Sequence, residues 1–217
     1  MKKFLAFLMC CAMLLGLCAC SSQPPVNPSS TTSTLPVNKT FLTVAKTGKI
    51  DGAKFGIGDH PDTIEQYHHF YDEEYWGDPA NEAEGIPPLS IDYIGNEKVR
   101  MYTNDTKYYY DDKKRDEGLY FVAYFDTAYG YATTSTESYV KATAGIEPIY
   151  EGAAGKDDMF FFFGEPVEGT TMLAYNIDNK YEVDFFFANG LLTATSISIY
   201  DSSRVHGPVI EQSSSEL

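Results

Sequence analysis

Residues 164–201 read GEPVEGTTMLAYNIDNKYEVDFFFANGLLTATSISIYD, short aromatic and β-branched runs parted by Ile177-Asp178-Asn179-Lys180 and by Ala188-Asn189-Gly190. Asp, Asn and Gly tolerate the positive φ that tight hairpins demand, so the stretch predicts a three-stranded antiparallel meander. Tyr181, Val183, Phe185 and Phe187 alternate, and Ile197 and Ile199 are in phase with one another. That period of two gives a core face that helices can cover.

The preceding chain reads as a longer version of the same unit. Residues 45–58 are broken by glycines and predict a helix end, a turn and a brief strand. A helix follows: Asp59 or His60 can cap it, Pro61 suits its first position, and Asp62 lies where the helix N-terminus favours negative charge. Ile64, Tyr67, Tyr71 and Tyr75 form its apolar stripe, and it ends before Gly77. After a proline-bearing connection, strands are expected at 89–94, 99–103, 107–111, 119–126 and 129–135, with 112–118 as a charged hairpin loop. The fourth is apolar on both faces, so it is either central and covered on both sides or leaves one aromatic face free.

Residues 156–163, KDDMFFFF, precede Gly164-Glu165-Pro166 much as the first helix precedes Gly77-Asp78-Pro79. By that position they read as a short helix, although their composition also fits a buried strand. The two halves then share one order: glycine-rich lead, helix, Gly-acid-Pro, meander. An internal duplication is the working expectation. The fold class is α+β, with two tandem helix-plus-antiparallel-sheet units at 39–137 and 138–201, similar in organisation to β-lactamase-inhibitor-protein-like folds.

Met1-Lys2-Lys3 followed by an apolar run through Leu17 reads as a signal peptide, residues 1–19. Leu17-Cys18-Ala19-Cys20 resembles the lipobox of bacterial lipoproteins, with Cys20 after a small residue as the lipidated cysteine. Acyl chains each bury roughly 0.8 kcal/mol per methylene, so a doubly or triply acylated Cys20 would hold the protein on a membrane. Residues 20–38, rich in Ser, Thr, Pro and Asn, form a disordered tether. Cys10, Cys11, Cys18 and Cys20 are the four cysteines, so processing leaves no thiol pair for a disulfide and stability rests on an ordinary core. Residues 202–217 are a polar tail expected to fray.

The formal charge is −15, and loss of Lys2 and Lys3 with the signal takes it to −17. Such a surface repels nucleic acid and anionic lipid, leaving a cationic partner, divalent ions or simple solubility as its reading.

Ala45 to Gly52 (AKTGKIDG) with Phe55 and Gly58, the helix, and Gly164-Glu165-Pro166 with Tyr175, Lys180-Tyr181 and Phe185 resemble the YjgB-like family. These are secreted or lipid-anchored proteins of Gram-positive bacteria whose domain has no established function. The likeness covers most of residues 45–199, departing at 71–76 and after Pro79. It implies an extracytoplasmic location and carries no catalytic residues.

Chemistry is sparse. Glu65, His69 and Glu73 share one helix face and could ligate a divalent metal, but they lack the paired spacing of a zinc motif, and a solvated flank is the better reading. His60 and His206 stand alone as cap or surface residues. No Ser lies in a Gly-x-Ser-x-Gly elbow or Ser-x-x-Lys motif, and carboxylates such as Asp111, Asp112, Glu182 and Asp184 can be paired only by folding. The expectation is therefore a binding module rather than an enzyme, without a cofactor, anchored to the membrane by lipid and taking an extracellular protein, peptide or wall-derived ligand. Tyr108, Tyr110, Tyr120, Tyr124, Tyr129 and Tyr131 are the candidate binding surface, or else core filling. A metal-dependent extracellular enzyme and a structural envelope protein are the alternatives.

Overall fold

Asp178 and Asn179 adopt φ of 56° and 55°, and Asn189 and Gly190 adopt 53° and 75°. These left-handed values turn a strand back on its neighbour, and the second turn closes as a two-residue hairpin, pairing Ala188 with Leu191. The computed structural model describes residues 35–68, 88–155, 158 and 168–208. Its helices are α1 (Lys39–Ala45), α2 (Pro61–Tyr67) and α3 (Glu137–Thr143). Its strands are β1 (Ser90–Tyr93), β2 (Lys98–Tyr102), β3 (Thr106–Asp111), β4 (Phe121–Tyr124), β5 (Tyr150–Ala153), β6 (Thr171–Ile177), β7 (Tyr181–Ala188) and β8 (Leu191–Ile199).

All eight strands form one antiparallel sheet in the order β1-β2-β3-β4-β8-β7-β6-β5. Two four-stranded meanders meet where β4 pairs with β8, Val122 opposite Ile197 and Phe121 opposite Ser198. The fold is α+β, and β4 is buried along its whole length, as its two-faced apolar sequence requires.

The helices cover one face. Asn38 caps α1 by accepting the Phe41 N–H at 3.1 Å, and Thr136 caps α3 by accepting that of Tyr139. His60 caps α2, which begins on Pro61 as expected. Phe41 is the hub of the core: its ring lies 5.2 Å from Tyr129, 5.4 Å from Tyr175 and 5.3 Å from Phe185, each edge-on. Val99, Met101, Val122, Val183 and Ile197 complete that face of the sheet. The other face carries a second apolar cluster that includes Tyr109, Phe121, Ala123, Met172, Ala174, Phe186 and Ala194.

Five expectations change. Residues 129–135 form no strand: Tyr129 and Gly130 have φ of 54° and 76°, and a single bridge joins Ala128 to Tyr131. The Tyr129 ring is thereby turned inward, its hydroxyl donating to the Lys49 carbonyl at 2.9 Å. The brief strand expected within 45–58 is replaced by turns that drop Ile50 and Phe55 into the core. The charged loop becomes a 3₁₀ helix, Asp112–Glu117, whose Arg115 reaches Asp62 and Glu65 on α2. Beyond β8, residues 202–208 do not fray but fold back onto β7. α2, expected to continue to Gly77, ends at Tyr67, because His68 turns to extended backbone at φ −93° and ψ 153°. The helix expected at 156–163, apart from Asp158, the Gly-acid-Pro triplets, Tyr71 and Tyr75, the tail from 209 on and residue 20 lie outside the described residues.

Phe41→Ala leaves a cavity among three aromatic rings and is expected to cost about 3–5 kcal/mol. Urea unfolding at neutral pH measures it; a loss below about 1 kcal/mol would show that the ring is not the hub of the core.

Candidate functional site

Sheet register decides where each candidate tyrosine goes. On β2 and β3, Met101 pairs with Tyr108 and Val99 with Tyr110, which places both tyrosines under the helices. Tyr108 meets Phe55 edge-on at 5.9 Å, and the Tyr110 hydroxyl accepts from Arg115 at 2.7 Å. Tyr124 lies against Gly52, where a Cβ would come within 2.1 Å of its ring. Tyr129 packs on Phe41, and the Tyr131 hydroxyl lies 3.1 Å from that of Thr143. All five are buried, and burial raises the pKa of each phenol. They fill the core, which corrects the expectation of an aromatic binding surface made by the six together.

Tyr120 differs. It precedes β4, packs at the edge of the second apolar cluster, and is half-buried, with burial and nearby Asp111 pushing its pKa up to about 12. Its ring helps line a cleft of about 280 Å³ at the seam of the two meanders, where the Ile199 N–H donates to the Tyr120 carbonyl at 3.2 Å. Ile199 supplies an apolar wall, and Lys98, Asp111, Lys114 and Glu117 bring two ammonium groups and two carboxylates to it. The Lys98 ammonium lies 5.4 Å from the centre of the Tyr120 ring. Such a cleft can pack an apolar ligand face on the ring while donating to and accepting from its polar edge.

Of the candidate metal ligands, Glu65 on α2 is engaged by Arg115 at 2.7 Å, while His69 and Glu73 lie outside the described residues. Among the described residues, no group of three or more His, Cys, Asp or Glu side chains is arranged to hold a metal ion.

A second constellation lies on the face away from the helices. Cross-strand pairing sets Phe121, Ser198 and Glu182 in one row and Ala123, Ser196 and Asp184 in the next. The chain after β8 returns across these rows. Arg204 bonds Glu182 and reaches Asp184 Oδ2 at 3.1 Å and Asp158 Oδ1 at 3.5 Å. His206 Nδ1 lies 3.1 Å from Asp158 Oδ1, and its Nε2 lies 3.6 Å from Glu182 Oε2. Asp158 Oδ2 also accepts the N–H groups of Gly155 and Gly207, each at 2.8 Å.

Burial favours a neutral His206, but the hydrogen bond to Asp158 and the nearby carboxylates of Glu182 and Asp184 outweigh it and push its pKa up to about 9. Burial also opposes ionisation of Asp158, yet His206, the two N–H donors and Arg204 hold its carboxyl below the usual value. Asp184 goes the other way: burial, countered by Arg204 and reinforced by Glu182, lifts it to about 6. Both ring nitrogens of His206 face carboxylates, an arrangement that favours its protonated form.

This cluster escaped sequence reading because its members lie up to 48 residues apart. Glu182 and Asp184 were legible as polar positions in an otherwise apolar strand, and an Arg-x-His in a polar tail was the available signal for their partners.

Comparison with protein-family models, with curated proteins and with solved structures found no match to this chain. Among the described residues, no helix is long and apolar enough to cross a membrane.

Arg204→Ala would leave three buried carboxylates facing His206 alone, a change expected to cost about 3–5 kcal/mol. Thermal unfolding at pH 7 tests it; an unchanged midpoint would show the cluster to be solvated.

Proposed function

We propose that this protein is a lipid-anchored, extracytoplasmic binding module of the YjgB-like kind, built from two tandem helix-plus-sheet units, with its ligand seat in the cleft beside Tyr120. The anchor rests on the charged start, the apolar run and Cys20 after Ala19. The resemblance to the family rests on the motifs at 45–58 and 164–185.

Local matches support the tandem reading. The N-caps Asn38 and Thr136 each accept the N–H three residues on, at equivalent points of two seven-residue helices. Gly56 donates its N–H to Asp59 Oδ2 at 2.8 Å, and Gly155 donates to Asp158 Oδ2 at the same distance. The strand order runs outward from β4 and β8 in the same sense, each half a meander.

The observation that carries the binding reading is the cleft: a partly open aromatic ring, an apolar wall and paired charges of both signs on a rigid sheet. Its volume of about 280 Å³ is near the small end of ligand sites, suited to one residue of a peptide or one unit of a wall-derived polymer. The ligand is an extracellular protein, a peptide or a wall fragment presenting such a group. An enzyme reading has less support, since the cleft brings Tyr120 no nucleophile with an adjacent base.

The full-length, processed protein, immobilised and exposed to the parent cell's envelope fraction, should retain a ligand. Tyr120→Ala and Lys98→Ala should reduce retention at least about tenfold, the effect of losing about 1.4 kcal/mol, while Tyr93→Ala, at an exposed site outside the cleft, should not. Equal retention by all three variants would remove the cleft from the proposal. Growth on labelled palmitate should label the wild type and not Cys20→Ala; label on both would refute the anchor.

A further inference from the structure

The eight residues after Tyr200 cross β7 without joining the sheet. The backbone of 201–208 makes a local turn, with the Arg204 N–H donating to the Asp201 carbonyl at 3.1 Å, and reaches across only to Asp158, through the Gly207 N–H, among the described residues. Asp201 accepts from the Ser203 N–H and hydroxyl, which keeps the turn local. Val205 is 82% exposed, so the segment's one aliphatic side chain contributes little burial. What fastens it is charge: Arg204 and His206 above, and Glu182, Asp184 and Asp158 beneath, each of the three carboxylate side chains 1% exposed.

The charges do not balance. Three carboxylates face one guanidinium and one imidazolium, leaving one excess negative charge when all are ionised. Asp184 Oδ1 is buried and has no hydrogen-bond partner. One proton on Asp184 would neutralise the cluster; loss of the His206 proton would leave it still more negative. Burial of an uncompensated charge is what a low-dielectric site resists most.

We propose that residues 201–208 are a proton-gated strap, closed over the β7 carboxylates while Asp184 and His206 hold their protons and released as these are lost. The groups that face the two titrating side chains are Arg204 from the strap itself, Glu182 from β7, Ser196 from β8 at 3.3 Å from Asp184, Asp158, and the Tyr150 ring of β5 stacked on His206 at 5.3 Å. The direction follows from proton uptake. Asp184 reaches about 6 when the strap is closed and would return toward its ordinary value of 3.8 once solvated; His206 reaches about 9 and would return toward 6.5. The closed form therefore binds more protons across both intervals, and closure weakens as pH rises, first through 6 and then through 9. Asp158 opposes this only in stronger acid, below its ordinary 3.8.

Release bares Glu182 and Asp184 beside Ser196 and Ser198, a carboxylate floor on the face opposite the helices. With Arg204 and His206 the strap acts as an internal basic ligand for that floor. This inference is independent of the cleft beside Tyr120.

Hydrogen exchange of the full chain at pH 5, 7.5 and 9.5, corrected for intrinsic rates, tests it. Protection in 201–208 should fall at least tenfold from the lowest to the highest pH while β6 and β7 remain protected. Asp184→Asn should keep its acid-level protection at pH 7.5, and His206→Gln should already be loosened at pH 5. Protection that is constant with pH, or that falls in step with β7, overturns the strap. As a readout on the unaltered protein, the His206 ring should titrate near 9; titration below 7 overturns it equally.

Discussion

The pairing of β4 with β8 is the contact on which the rest of the structure depends. Each meander alone would end on an inner edge with unpaired backbone groups, and β4 is only four residues long. Joined antiparallel, the two edges satisfy each other and bring Val122 onto Ile197, so one apolar face runs from Ile91 on β1 to Leu173 and Tyr175 on β6. That continuity lets Phe41 on α1 touch side chains of β6, β7 and the 128–131 turn together. It also creates the seam at Tyr120 and Ile199, because a cleft opens where the strands of two meanders end side by side.

How much of this was legible depended on the range of the interaction. The last hairpins were readable because Asp178-Asn179 and Asn189-Gly190 state their φ preference in two residues, and α2 because Pro61 and its cap are adjacent. The 129–135 run misled because Tyr and Thr fit a strand by composition, whereas a positive φ at Tyr129 is stabilised by tertiary contacts with Lys49 and Phe41. The tyrosines were ambiguous for a related reason. Alternation along a strand separates its two faces but does not say which face a helix will cover, and here the covered face took Tyr108, Tyr110 and Tyr124. Tyr120 escaped because it precedes the regular strand, so its direction is not bound by that alternation.

The two faces of the sheet are buried by different means. On the helix side, rings and branched chains interlock; the Tyr131 hydroxyl there meets that of Thr143, while the Tyr175 hydroxyl is buried without a hydrogen-bond partner among the described residues. On the far side, apolar residues share β7 with Glu182 and Asp184, and a carboxylate can be buried only with a partner at hand. A chain as acidic as this one, with 31 Asp and Glu against 16 Lys and Arg, has few cations to commit to its interior. Arg204 is placed where one guanidinium serves Glu182, Asp184 and Asp158 together.

That economy makes the far face specific rather than merely stable. Apolar residues of similar volume would cover β7 at no cost in desolvated charge, but they would accept any greasy segment laid over them. Two carboxylates on the sheet and a third at Asp158 accept only a segment that presents cations at matching positions, and the backbone N–H of Gly207 fixes its register on Asp158. Gly207 is required there by conformation as well as by contact. Its φ is 90°, and a Cβ would come within 2.5 Å of the Tyr150 hydroxyl, so a side chain at this point would push the strap away from the ring that stacks on His206. The close approach of Gly155 to the Gly207 carbonyl, 2.0 Å for an added Cβ, sets the same limit from the other side. A polar segment with little apolar surface to bury is thus held in one position by charge count and by two glycines.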